Sequence, residues 1–357
     1  MKVGIRVDAS ARMGTGHLRR CLSLARALAE THADIRFLTR DLGVDSSAMI
    51  REQGFNSIVL LPKPDGRAIT DPAIPHASWA EVDTETDSRQ TIAALSEFEP
   101  DWVVIDSYGF DARWHHAIRD AVGARIAQID DMADRVIAPD LLVDHNHAGD
   151  HEQKYGDRLE RKAKILGGPR YALLGPAFVN AERYRFDETV RSIGVFMGGV
   201  DAGEHSGLVL SALRAIDFAG PVEIVSTQAN PNLADLRRIV AQDPPASLSI
   251  DLPDLSAFFA RHDIQVGAGG GASWERCCIG VPTLLVIVAE NQRAVAPQLA
   301  AEGIVALADR PERTVIAAEL EDLVKNADKR RELARRARKL VDGRGAARVA
   351  EEMRCFE

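Results

Sequence analysis

The sequence has few cysteines, no excess of basic charge and no long apolar run, and each shortage narrows what the chain can be. Only four of its 357 residues are cysteine: Cys21, Cys277, Cys278 and Cys355. The adjacent pair lies in a helix-like stretch without a C-x-x-C partner, so neither a zinc site nor a disulfide framework is indicated. Reduced thiols in a cytosolic protein are the simpler reading. The formal net charge of −9 argues against a general nucleic-acid binder, which carries a basic face, but leaves room for a local basic pocket. No apolar run approaches the roughly 20 residues of a membrane span, and Arg6 interrupts what would have to be the core of a secretion signal. A cytoplasmic protein with no membrane partner is therefore expected. There is also no internal repeat and no low-complexity tract. What remains is 46% hydrophobic and 27% charged residues, the composition of a folded chain, at a length suited to two domains.

Short β-branched runs alternate with helical patterns from end to end, which predicts βα units and parallel sheets. In the first half the strand candidates are Lys2–Val7, Ile35–Thr39, Trp102–Ile105, Arg125–Ile129 and Leu141–Val143. A helix follows from about His17, with Leu18, Cys21, Leu22, Ala25 and Leu28 on one face. The proline-bearing stretch 61–87 reads as a long, partly irregular connection. A break falls near Gly175-Pro176. A second series then runs through Ser192–Met197, Val222–Ser226, Ser247–Ile250, Ile264–Gly267 and Thr283–Val288, with helices at about Ser206–Ile216, Asn232–Val240, Asp254–Arg261 and Ser273–Ile279. The fold class expected is α/β: two doubly wound Rossmann-like domains, 1–178 and 190–325, with a cleft between them. A charged helical tail over 326–357 could pack back on the first domain. Ligands of such sheets bind at the carboxyl ends of strands, so the strand ends are where chemistry is expected.

After the first strand comes Arg6-Val7-Asp8-Ala9-Ser10-Ala11-Arg12-Met13-Gly14-Thr15-Gly16-His17-Leu18-Arg19-Arg20. Gly14 and Gly16 let backbone amides approach a ligand, and the helix beyond presents free N–H groups and a positive dipole end. At that end the dipole disfavours imidazolium, so His17 is suited to general-base work. A glycine turn capped by an exposed histidine is the bland alternative.

R-x-D-x-S followed by G-x-G-H-x-x-R resembles the opening of the UDP-2,4-diacetamido-2,4,6-trideoxy-β-L-altropyranose hydrolases, which act on the way to pseudaminic acid. The likeness continues through Asp106-Ser-Tyr-Gly, Ile129-Asp-Asp, Met197-Gly-Gly-Val-Asp, Gly270–Glu275 and Asn291-Gln292, and so covers roughly positions 1 to 305, each motif in a strand-to-helix context. It implies that His17 is catalytic and that Tyr108 is an active-site residue near the reacting carbon. It implies substrate contacts at Arg6, Asp8, Ser10, Gly14 and Gly16. Tyr108 could instead be a ring packed beneath a loop. Asp130 and Asp131 read as loop or helix caps, since adjacent residues rarely face the same way. Asp144-His145-Asn146-His147 suggests a metal cluster at first sight, but it lacks the spacing of a known metal motif; a polar loop is preferred, and no metal or cofactor is expected.

In the second half, Val195-Phe-Met-Gly198-Gly199-Val200-Asp201 runs an apolar strand into glycines, a setting in which phosphate can sit against backbone amides. Gly267-Ala-Gly-Gly270-Gly271-Ala-Ser273 repeats it, with Ser273 placed to cap the next helix. Glu275, read as lying in that helix's first turn, could accept from both ribose hydroxyls, or could merely stabilise the dipole. These turns are similar to the nucleotide domain of GT-B glycosyltransferases, and Asn291 and Gln292 resemble the polar pair those proteins direct at the donor sugar. Val200 stands where the hydrolase family usually has threonine. Gly198, Gly199, Asp201, Gly270, Gly271, Ser273, Glu275, Asn291 and Gln292 are thus the expected nucleotide-sugar contacts, with a UDP-sugar as substrate and a monomer as the assembly.

The paired carboxylates of most glycosidases are not evident. A diphosphate departs as a stable anion without a proton, which explains why none is required. The reaction expected is hydrolysis at the anomeric carbon with inversion. A glycosyltransferase of the same architecture and a non-catalytic nucleotide-sugar sensor remain open alternatives.

Overall fold

The short apolar runs become parallel strands buried on both faces, as the hydrophobic composition of such strands requires. The computed structural model describes the chain apart from Ala11, Glu357 and the side chain of Asn291. It divides into two units: residues 1–175 with 344–357, and residues 176–343.

The first unit holds β1 (Lys2–Val7), β2 (Ala9–Ser10), β3 (Asp34–Leu42), β4 (Ile58–Leu61), β5 (Trp102–Asp106), β6 (Arg125–Ile129), β7 (Leu141–Asp144) and β8 (Lys164–Gly167). The order is β4, β3, β1, β5, β6, β7, β8, with β2 also pairing β3 just past the end of β1, and every pairing is parallel. From central β1 the chain goes first to β3 on one side and later to β5 on the other. The turns that leave β1 and β5 therefore open side by side, with Val7 in register with Asp106. That reversal point is where a doubly wound sheet places its ligand. The helix Gly16–Glu30 covers the sheet through Leu18, Cys21, Leu22, Ala25 and Leu28, spaced to share one face and fully or nearly fully buried. Each buried leucine contributes roughly 1.5–3 kcal/mol.

The second unit holds β9 (Ile193–Phe196), β10 (Val222–Ser226), β11 (Ala246–Ile250), β12 (Ile264–Ala268), β13 (Thr283–Val286) and β14 (Ala306–Ala308). Their order is β11, β10, β9, β12, β13, β14, again all parallel. Here the reversal lies between β9 and β12, the two strands that end in the glycine-rich turns.

The chain ends in three helices, Arg313–Lys325, Ala327–Leu340 and Gly345–Arg354, of which the last two make up the expected tail. Asn326 ends the first and caps the second, accepting from the Lys329 N–H at 2.9 Å. The second packs on the helix Gly271–Ile279 within its own unit. The third belongs to the first unit, where Val349, Ala350 and Met353 join the core beneath Gly16–Glu30.

Candidate active site

His17 is the second residue of the helix Gly16–Glu30, and Asp106 is the last residue of β5. Gly14, at φ 72°, closes the turn between β2 and that helix by donating its N–H to the Ser10 carbonyl at 2.8 Å. Ser10 Oγ takes the Met13 N–H at 3.2 Å. Thr15, the helix's N-cap residue, supplies no side-chain cap, so the first turn's N–H groups face the turn without one. The effect is to set the imidazole at the mouth of the helix.

His17 Nδ1 lies 2.6 Å from Asp106 Oδ1. Arg20, one turn along the same helix face, grips the same carboxylate in a fork: Nε to Oδ2 at 2.5 Å and Nη2 to Oδ1 at 2.6 Å. Burial by itself would raise the Asp106 pKa, but Arg20 and His17 outweigh it and hold the acid well below the usual carboxylate range. An ionised carboxylate can only accept, so Nδ1 carries a proton, and in the neutral ring Nε2 is the nitrogen that accepts. The ring is only 8% exposed.

Tyr108 sets its ring edge against His17, centroids 4.8 Å apart at 76°. Its hydroxyl donates to Asp131 Oδ1 and accepts from Arg20 Nη2 at 3.4 Å. Burial pushes the phenol pKa well up, so the group stays protonated. Asp130 and Asp131 diverge. Asp130 takes the Ala133 N–H at 3.0 Å and pairs with Arg135 at 2.8 Å, holding the loop. Asp131 instead turns to Tyr108, to Arg20 at 3.8 Å and to Asn146 Nδ2 at 2.8 Å. The capping expectation therefore holds for Asp130 and is corrected for Asp131, because successive side chains of the loop leave on opposite sides. His145 completes this neighbourhood. It is buried, its Nδ1 has no hydrogen-bond partner, and burial together with Arg20 pulls its pKa down to about 4.

Arg6 and Asp8 lie elsewhere. Arg6 forks to Asp8 at 2.6 and 2.7 Å and to Asp87 at 2.6 Å. Asp8 also takes the Arg40 N–H at 2.7 Å, and Asp87 takes Arg40 Nη2 at 2.8 Å and Trp114 Nε1 at 2.9 Å. The expected substrate contacts here are instead a buried charge network, with the guanidinium of Arg6 fully engaged in tying β1 to the helix Thr84–Leu95.

In the second unit Gly198 sits at φ 101° and Gly270 at φ 150°, conformations that favour glycine. A side chain at Gly198, Gly270 or Gly271 would meet no atom within 4 Å, so the backbone there is open to a ligand. Gly199 is packed by Thr227, whose hydroxyl donates to the Gly199 carbonyl at 2.7 Å. Asp201 caps the helix His205–Ala215, accepting the N–H groups of His205 at 3.0 Å and Ser206 at 2.9 Å; its carboxylate is occupied by the helix rather than turned to a ligand. The helix Gly271–Ile279 begins two residues before the expected Ser273, because Gly270 can adopt the turn that starts it. Ser273 caps from within, accepting the Gly270 N–H at 3.3 Å, and Glu275 falls in the second turn, not the first. The side chain of Gln292 packs 3.3 Å from where a Cβ of Gly269 would stand, and its Oε1 accepts the Val288 N–H at 2.9 Å. Asn291, expected beside it, has its side chain outside the described residues.

Sequence reasoning singled out His17 and Tyr108 but missed Asp106, Arg20, Asp131 and His145 as members of the same cluster. The signals were present: Arg20 is the final residue of G-x-G-H-x-x-R, and Asp106 is the polar residue ending an apolar strand.

No protein-family profile matches the chain. Among curated proteins it is 26% identical to the spore coat polysaccharide biosynthesis protein SpsG of Bacillus subtilis, over 98% of this chain and 96% of that protein. It is 23% identical to the UDP-2,4-diacetamido-2,4,6-trideoxy-β-L-altropyranose hydrolase of Campylobacter jejuni, over 85% and 97%, a protein that bears the name of the family whose motifs the sequence resembles. Among solved structures, Acinetobacter baumannii MurG matches at a TM-score of 0.68 with 14% identity, covering 99% of both chains. The likeness establishes the fold as two Rossmann-like domains of the GT-B type. No helix among the described residues is long and apolar enough to cross a membrane.

Proposed function

We propose that this chain is a nucleotide-sugar hydrolase that cleaves the anomeric C–O bond of a UDP-sugar with inversion. The observation that carries the reading is the 2.6 Å contact between His17 Nδ1 and Asp106, which leaves Nε2 as the proton acceptor at the reversal point of the first sheet. A water O–H proton passes to Nε2 while the water oxygen attacks the anomeric carbon. The C–O bond to the diphosphate breaks, its electron pair leaves on UDP, and the free sugar carries the new hydroxyl on the opposite face. Asp106 offsets the charge the ring acquires. Arg20 fixes the carboxylate, and Tyr108 fixes the ring from the side. The open backbone at Gly198, Gly270 and Gly271 suits phosphates, and Glu275 and Gln292 are assigned to ribose and sugar. The reading requires the sugar of a nucleotide held there to reach His17.

The name of the Campylobacter jejuni relative supports a nucleotide sugar as the substrate class. The first candidate is UDP-2,4-diacetamido-2,4,6-trideoxy-β-L-altropyranose, whose hydrolysis supplies the free sugar for pseudaminic acid. A cytoplasmic monomer belongs to the same reading, and the route calls for no metal or cofactor. Incubation with this substrate in oxygen-18 water, without acceptor, should release UDP and place the label in the sugar. Label in UDP overturns the bond assignment, and UDP release only on adding an acceptor makes the protein a transferase.

A further inference from the structure

Arg6, Arg40, Arg135, Arg276 and Arg330 are each exposed by less than 2%. Four of them are answered by their surroundings. Arg6 and Arg40 share Asp87, Arg135 pairs with Asp130, and Arg330 donates to the Leu323 and Val324 carbonyls at the end of a helix and to the Glu188 carbonyl. Nε of Arg40 and of Arg330 is unbonded as well, but Arg276 is the least satisfied of the five. Only its Nη2 is bonded, to the Ala268 carbonyl at 2.8 Å and distantly to Ser273 Oγ at 3.4 Å, while Nε and Nη1 have no partner. Burial pulls its pKa down to about 10, with Cys277 and Glu275 offsetting this only in part. Leaving a guanidinium buried and unpaired is among the costliest arrangements in a protein.

The seat is nonetheless built for it. A Cβ on Gly267 would collide with Arg276 Nη1 and lie 2.5 Å from the Phe196 carbonyl, so β12 gives up a side chain to let the guanidinium lie across it. From the helix Gly271–Ile279 the side chain runs back towards the helix's own N-terminus, placing its charge at Ala268 and Ser273, the two flanks of the turn Gly269–Gly271, whose backbone is open at Gly270 and Gly271. Phe259 covers it at 5.7 Å, which keeps the local dielectric low and the field strong.

We propose that Arg276 is the counter-charge for the phosphates of a nucleotide bound at the Gly269–Gly271 turn, a cation whose partner anion arrives with the ligand. The inference rests on the nucleotide reading given above. The unliganded protein carries the cost of the lone charge, and binding relieves it. Arg276 acts through the turn as a positioning residue, and the backbone amides make the contacts.

Binding of UDP, inorganic diphosphate and uridine to the wild type, Arg276→Met and Arg276→Lys, measured by calorimetry, tests this. Arg276→Met should weaken UDP and diphosphate about tenfold or more and leave uridine within about twofold. Its unliganded melting temperature should hold or rise by a few degrees, since an apolar replacement of similar length removes the unpaired charge. Arg276→Lys, which keeps the charge, should retain UDP affinity within a few-fold. Equal weakening of UDP and uridine, unchanged UDP binding, or failure of Arg276→Met to fold overturns the proposal. Wild type that binds diphosphate but not UDP sinks the nucleotide reading and leaves the role of Arg276 standing. Wild type that binds neither sinks both.

Discussion

His17 Nδ1 and Asp106 Oδ1 stand 2.6 Å apart, and this contact joins the turn after β1 to the end of β5. An ionised aspartate fixes which ring nitrogen holds the proton. Asparagine at 106 can offer an N–H to Nδ1 instead, which moves the ring proton to Nε2 and removes the base. Asp106→Asn should lower kcat by about a thousandfold, and His17→Asn should abolish turnover. Both should keep UDP affinity within about threefold, because the nucleotide is assigned to the other unit. Steady-state kinetics with calorimetry decides it. Turnover within tenfold of wild type in either variant removes His17 from the mechanism.

Tyr108 touches His17 with its ring and Asp131 with its hydroxyl, and the two contacts can be separated. Tyr108→Phe keeps the ring edge and loses the donor, so kcat should fall by no more than about tenfold. Tyr108→Ala removes the wall that holds the imidazole and should cost about a hundredfold or more. A Phe variant as inactive as the Ala variant would make the hydroxyl itself catalytic.

Much of the frame is legible in the sequence alone. Lys2–Val7, Arg125–Ile129 and Val222–Ser226 were bounded to the residue, because each is a β-branched run between turn residues. The strands that escape, β2, β4, β8 and β14, are short, and β4, β8 and β14 lie at sheet edges, where partial exposure dilutes the apolar signal. His17 was visible because glycines announce a turn. Arg6 misleads for a physical reason: a charged residue inside an apolar strand looks functional, yet Asp8, two residues on, and Asp87, from a distant helix that also answers Arg40, neutralise it. The pairing with Asp87, 81 residues away, leaves no local pattern. Asp131 and Arg276 were hidden in the same way, since one depends on which way a loop turns and the other on what fails to stand beside it.

Two buried histidines make stability depend on pH. His115, bonded to Gln128 and to the Ala138 N–H, has its pKa lowered from 6.5 to about 3 by burial, and His145 is lowered to about 4 by burial and Arg20. The unfolded chain therefore binds more protons than the native one between these values and 6.5. The contribution is complete above pH 6.5 and is lost as pH falls, down to about 4 for His145 and about 3 for His115. The slope is about 1.4 kcal/mol per pH unit for each residue. Thermal melts from pH 7.5 to 4.5 should show a steady fall. His145→Gln, which cannot ionise, should flatten that fall, and a variant profile parallel to wild type would show that burial does not shift the titration of His145.

Asp201 offers the sharpest separation of cap from contact. Its carboxylate takes the first N–H groups of the helix His205–Ala215, while the residue just before that helix, Glu204, supplies no side-chain cap. Removing a cap of this kind costs about 1 kcal/mol, which in a unit of this size lowers the melting temperature by about 2–4 °C. Asp201→Ala should show that loss and keep UDP affinity within about twofold. The opposite result, an unchanged melting temperature with UDP binding weakened tenfold or more, would mean that the ligand, not the helix, is what this carboxylate serves. In that case the turn after β9 would have to reorganise on binding to release it.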